Sequence, residues 1–203
     1  MDSSDRRIST GLPFLDRRLD GGLAVGCLLA LVSPPQSQGE LLLRHLVLER
    51  PTVYVSLTRP VPEVRAWAAE GDGPVPDLTV LAPEPGALLG EATPVEEALA
   101  PGSFVVVDRA NALEAADRGE YLAFLDRLKR TVEATDSVGV LHCSQHRRQP
   151  PRRGLTLDRV DQVWRLELLP LSREIKNRLL VTKARRGRAL QEPIDVLLTD
   201  RVQ

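Results

Sequence analysis

At 203 residues, with 42% hydrophobic and 27% charged residues, the chain has the composition of one globular domain long enough to bury a sizeable core. A formal net charge of -1 gives no whole-molecule field towards nucleic acid or a membrane surface, and aromatics at 3% leave the core to Leu, Val and Ala. No apolar run reaches the ~18 residues of a membrane span. The start Met-Asp-Ser-Ser-Asp-Arg-Arg lacks the apolar segment of a signal peptide. Cys27 and Cys143 both sit in apolar runs, which reads as two buried free thiols and predicts a cytoplasmic location.

Residues 1–7 are charged and read as a loose end, leaving 8–203 as one domain. Leu12, Leu15 and Leu19 share a helical face, and Gly21-Gly22 end that helix. The apolar run 27–32 predicts a buried strand, followed by a helix over 37–49. A β-branched strand spans 52–58, a helix 60–70 and a short strand 77–81. Pro and Gly through 82–102 predict a loop with one short helix. The run 104–108 is an apolar strand ending in Asp108, 121–134 is an amphipathic helix, and 138–143 is a further buried strand. Residues 146–154, with Arg147, Arg148, Arg152 and Arg153 around two prolines, predict a basic loop without regular structure. Strands at 162–168, 178–183 and 194–198 follow one another without long helices and are expected to be antiparallel or hairpin-linked.

Apolar strands alternating with helices predict an α/β fold: a twisted, mostly parallel sheet with helices on both faces and antiparallel strands at the C-terminal edge. Ligands of such sheets bind beyond the carboxyl ends of the strands. The residues there are Ser33, Thr58, Asp108 and Cys143. The loop Ser33-Pro-Pro-Gln-Ser-Gln-Gly-Glu40 joins strand to helix, the layout of a phosphate-binding loop. That chemistry needs glycines to wrap phosphate, a Lys for its charge and a Ser/Thr for magnesium. This loop has the position without those residues.

The opening Ile8-Ser-Thr-Gly-Leu-Pro-x-Leu-Asp-x-x-Leu-x-Gly-Gly-Leu-x-x-Gly26, the strand Val105-Val-Val-Asp108 and the segment Leu180-Val-Thr-Lys-Ala-Arg-Arg-Gly187 together resemble the RecA/KaiC-like superfamily, in particular the archaeal KaiC-like ATPases. The resemblance runs over about residues 8–200 and implies a RecA-like fold and side-by-side assembly. Against the superfamily's Gly-Pro-Pro-Gly-Ser-Gly-Lys-Thr, the Lys and Thr positions fall on Gly39 and Glu40, and glycine positions fall on Ser33, Gln36 and Gln38, with Ser37 between them. Thr58 and Arg59 stand where members carry a water-activating Glu pair. Gln145 matches a residue that senses nucleotide state there.

These departures predict a degenerate Walker A loop and a pseudo-ATPase: a non-catalytic protein-interaction or regulatory module with no cofactor. The resemblance implies a link to recombination, repair or transcription. Superfamily members without Walker motifs, a bacterial cell-division inhibitor among them, act by binding other proteins. The partner expected here is a second copy or a related RecA/KaiC-like subunit, with Lys183, Arg185 and Arg186 facing Glu40 across the interface. Two alternatives stay open. One is an ATPase using ATP and magnesium through an atypical loop; the other is a DNA-binding recombinase paralogue using Arg147, Arg148, Arg152 and Arg153. With no aromatic residue in that loop, weak or no nucleic-acid binding is expected. Asp108 reads as a strand-end carboxylate pairing Arg59 or Arg109. His142-Cys143-x-x-His146 straddles a strand end, where alternation sends His142 and Cys143 to opposite faces, so no metal site is expected.

Overall fold

The computed structural model describes residues 6–70, 77–90, 94–170, 175–185 and 190–196. An eight-stranded sheet runs β10-β9-β8-β3-β7-β6-β4-β5. Its strands are β3 (Leu28–Ser33), β4 (Thr52–Ser56), β5 (Leu78–Leu81), β6 (Phe104–Asp108), β7 (Val138–Ser144), β8 (Gln162–Pro170), β9 (Ile175–Ala184) and β10 (Ile194–Val196). A separate two-stranded ribbon pairs β1 (Arg7–Ile8) with β2 (Leu23–Ala24).

Both faces of the sheet are covered, which is why its central strands are buried at every position and mostly apolar. Leu29 and Leu31 of β3 pack with α1 (Pro13–Arg18), α2 (Gly39–Glu49) and α3 (Val61–Ala68), through Leu15, Leu42, Leu46 and Val64. Leu28, Ala30 and Val32 face the other way, towards α4 (Pro85–Leu89), α5 (Pro94–Ala98) and α6 (Arg118–Ala134), through Leu88, Val95, Tyr121 and Leu125. Asp117 caps α6, its carboxylate accepting from the amides of Gly119 and Glu120. Cys27 and Cys143 are buried free thiols.

Two expectations are corrected, for 82–102 and for the basic stretch, and one element appears that the sequence reading did not assign. The region 82–102 holds two short helices, α4 and α5, each opened by a proline suited to a first helical turn. A 3₁₀ helix, Ala110–Ala115, follows β6. β8 pairs β9 and β9 pairs β10 antiparallel, as expected of the closing strands, while β8 joins the parallel part of the sheet beside β3. The basic stretch is a loop only to Arg152, because α7 begins at Arg153 (Arg153–Arg159).

Arg153 is not a loop cation at all. It is buried and holds Glu114 of the 3₁₀ helix through two bonds of 2.7 and 2.8 Å. Thr156 donates to the same carboxylate at 2.5 Å, and the Tyr121 hydroxyl lies 2.7 Å from Thr156. This pair pins α7 beneath the sheet's second face, while Arg147 and Arg148 stay exposed. Removing one member leaves a buried charge alone. Arg153→Ala is therefore expected to lose ~3–5 kcal/mol in urea unfolding, against ~0.5 kcal/mol or less for Arg147→Ala or Arg148→Ala.

Candidate functional site

The carboxyl ends of β3, β4, β6 and β7 lie side by side, with Ser33 paired to Ser144 and Ser56 to Asp108. Strand parity puts Ser33, Tyr54, Asp108 and His142 on the α2–α3 face. Asp108 has no exposed surface. His142 Nδ1 is 2.6 Å from Asp108 Oδ1, and His142 Nε2 is 2.8 Å from Ser33 Oγ. The order serine, histidine, aspartate is that of a proton relay, but Ser33 is 2% exposed and offers no open face to a substrate. What the relay does here is fix the imidazole and keep Asp108 charged.

Arg59 reaches the same carboxylate from the turn after β4. The Ser56 hydroxyl clamps that turn, donating to Arg59 O and accepting from Arg59 N. One guanidinium nitrogen of Arg59 donates to Asp108 at 3.0 Å and to the Tyr54 hydroxyl at 2.9 Å, with the group 4.8 Å above the Trp67 ring. Burial alone would raise Asp108. The hydrogen bond and charge of His142, the Tyr54 hydroxyl and Arg59 outweigh it and bring the carboxyl down to about 2. Burial pushes the Tyr54 phenol well up, and the nearby Asp108 charge adds to this. Burial works against the Arg59 cation, but Tyr54, Asp108 and Glu40 together raise it.

Arg109 follows Asp108 in the left-handed backbone region, φ 62°, rare for a side chain of this size. Its guanidinium lies 2.7 Å from Glu40 and 4.0 Å from Asp108. Arg59 also bridges the two acids, 3.8 Å from Glu40. Two arginines thus stand between the first turn of α2 and the end of β6.

The loop 33–40 is closed by its own groups. Ser37 donates to Pro34 O at 2.7 Å, and the Gln38 amide donates to Asn177 of β9 at 3.0 Å. A Cβ on Gly39 would lie 2.5 Å from Ser33 Oγ and 2.9 Å from Ser33 Cβ. Ser33 and Gly39 are therefore complementary: the side chain present at one occupies the space missing at the other.

The structure brings together Ser33, Gly39, Glu40, Arg59 and Asp108 of the expected site. Gln36 and Thr58 are exposed, and Gln145 is exposed with only its amide tied, to Ser33 O at 2.8 Å. Arg147 and Arg148 lie apart from this cluster on their loop, and Arg152 is tied through its amide to Glu114 O. Lys183 caps α7, donating to Leu157 O at 2.6 Å and Asp158 O at 2.9 Å. Burial, then the neighbouring Arg185, lowers its ammonium. Arg185 is exposed, and Arg186 lies outside the described residues. Glu40 and Lys183, expected to face each other across an interface, each also make bonds within the chain. Among the described residues no group of three or more His, Cys, Asp or Glu is arranged to hold a metal ion.

Sequence reasoning missed Tyr54, His142 and Asn177 as members of the site. A histidine inside the apolar run Val138–Ser144 was the available signal, since its parity matches Ser33 and Asp108. Because Asp108 titrates below its ordinary 3.8, its contribution to stability is present above pH ~4 and is lost as pH falls towards 2. The contribution is about 2 kcal/mol. Asp108→Asn is expected to flatten acid unfolding between pH 4 and pH 2, read by denaturant midpoints across that window.

Similarity to known proteins agrees with this architecture. The KaiC-like protein PH0186 from the hyperthermophilic archaeon Pyrococcus horikoshii OT3 superposes with a TM-score of 0.76, covering 96% of each chain at 17% identity. Identity that low establishes a shared KaiC/RecA-like fold. No curated protein matches the chain. A family model matches residues 7–203, nearly the entire sequence, and the chain belongs to the family of unknown function DUF7125.

Proposed function

We propose that this chain is a non-catalytic KaiC-like module, a pseudo-ATPase that works by binding other proteins and takes no nucleotide cofactor. One observation carries the reading: Arg59 and Arg109 lie between Glu40 and Asp108. In the resemblance drawn from sequence, Glu40 falls on the magnesium-binding hydroxyl and Asp108 on the carboxylate facing it. Here the chain's own guanidiniums hold the space between them, and each acid is neutralised within the molecule. A triphosphate would have to displace Glu40 from Arg109 and meet an anion where it needs a cation. Two like unit charges ~4 Å apart repel by ~4 kcal/mol at an effective dielectric of ~20.

The Ser33–Gly39 contact supports the same reading, since the position that would carry a phosphate-binding lysine has no room for a side chain. The protein partner follows from the fold's habit of assembly, with a second copy or a related KaiC-like subunit as the chemistry to expect.

ATP with magnesium is expected to give no binding heat and no rise in melting temperature at millimolar concentration. A site filled at a hundredfold its Kd would add ~2.7 kcal/mol. Tight calorimetric binding, or turnover that Asp108→Asn abolishes, overturns the proposal. Gly39→Lys, offered as a restored lysine, is expected to destabilise the fold by ~1–3 kcal/mol through overpacking. Ser33→Gly in the same chain is expected to recover part of that loss, a coupling that a double-mutant cycle in urea measures.

A further inference from the structure

At the amino ends of the strands, the β1–β2 ribbon, the end of α2, the segment before β6 and the turn between α6 and β7 meet around a cleft of about 310 Å³. Arg6, Arg7 and Arg50 line it, and Asp136 is the one acid among its lining residues. Arg6 pairs with Asp136. Arg7 reaches only Gly22 O and Arg50 only Gly102 O, each at 3.5 Å, and neither has an acidic partner among the described residues.

Part of this positive charge has a use within the fold. Helices α2 and α6 end here, at Glu49 and Ala134, and a helix carboxyl end carries about half a negative charge. Two such ends and one carboxylate offset about two of the three guanidiniums, which leaves about one cation more than the chain itself neutralises. The cleft also has an apolar side: Ile8 and Val25 are buried at its lining, beside the exposed Pro101. The Val25 amide donates to Arg6 O at 3.1 Å, so the ribbon that carries Arg6 and Arg7 is held in register.

We propose that this cleft docks an acidic segment of a different protein, a carboxylate side chain meeting Arg7 and Arg50 and an adjacent aliphatic side chain lying on Ile8, Val25 and Pro101. Guanidinium forks match a carboxylate with two parallel hydrogen bonds, and arginine clusters are a common reader of acidic motifs. A bare phosphate would use the guanidiniums and leave the apolar side wet, whereas an acidic residue next to an aliphatic one uses both. Exposed pairs add little affinity each, so the apolar contact holds the segment while charge selects it.

The inference rests on the interaction-module reading and names the chemistry of a partner. The cleft lies at the opposite end of the sheet from the loop 33–40, so its failure and a failure at nucleotide calorimetry are separate results. The test is amide NMR of the full chain titrated with the blocked peptide Glu-Leu-Glu-Leu-Glu. Shifts are expected at Arg7, Ile8, Val25, Arg50 and Gly102, with binding that weakens as ionic strength rises from ~0.01 M to ~1 M, where the screening length falls from ~30 to ~3 Å. Arg7→Gln and Arg50→Gln keep a side-chain donor for Gly22 O and Gly102 O and remove the charge; each is expected to weaken binding by ~3-fold. Asp136→Asn is expected to tighten it by ~3-fold, because it frees Arg6, and Asn suits the left-handed backbone there, φ 50°. Arginines that served the fold alone would give no such gain. No shifts at millimolar peptide, equal binding of Gln-Leu-Gln-Leu-Gln, or preference at these residues for inorganic phosphate or a single-stranded oligonucleotide over the peptide overturns the proposal.

Discussion

Asp108 is an ionised carboxylate with no exposed surface, and the top of the sheet is arranged around that fact. Burying an unpaired ion costs several kcal/mol, so such a group persists only where donors surround it. His142 comes from β7, Tyr54 from β4 and Arg59 from the turn after β4. Each donor then needs its own support: Ser33 for the far side of the imidazole, Ser56 for the Arg59 turn, and Trp67 beneath the guanidinium. One carboxylate at a strand end thereby fixes residue choices on four adjacent strands and on α3.

The loop over this network follows from the same constraint. Ser33 reaches His142 only if its hydroxyl occupies the space beside the first turn of α2, and Gly39 provides that space. Glu40, one residue on, suits a first helical turn by the dipole argument and also neutralises two arginines recruited towards Asp108. The residues that set this loop apart from a phosphate-binding one therefore form a consistent set. Ser33, Gly39 and Glu40 are each explained by a neighbour that only the folded chain supplies.

Much of the fold was legible because a parallel sheet covered on both faces forces continuous apolar strands, as in β3, β6 and β7. Helix α6 was legible from its leucine spacing. The place of β8 beside β3 was not, because period and composition do not say which strand is the neighbour. β8 is buried through Gln162–Trp164 beside β3 and then emerges beyond it, which reads locally like an edge strand. Arg153 was misread for a related reason. Pro-Pro-Arg-Arg-Gly is locally a loop, and the carboxylate that makes Arg153 a core residue lies 39 positions away in Glu114. Of the site, Asp108, Glu40 and Arg59 were visible from their places at strand and helix ends, whereas the His142 relay needs a register that sequence does not supply.

The placement of charge separates what stabilises this fold from what is left for other molecules. Three buried carboxylates are matched: Asp108 by His142 and Arg59, Glu114 by Arg153, and Asp161 by Lys129 and the Leu28 amide. Those pairs anchor the strand ends, the 3₁₀ helix and the start of β3, and changing one leaves an uncompensated charge inside. The unmatched groups Glu63, Glu70, Asp77, Glu84 and Arg17 are all exposed. Folding does not need them where they are, since any polar residue would satisfy a solvated surface.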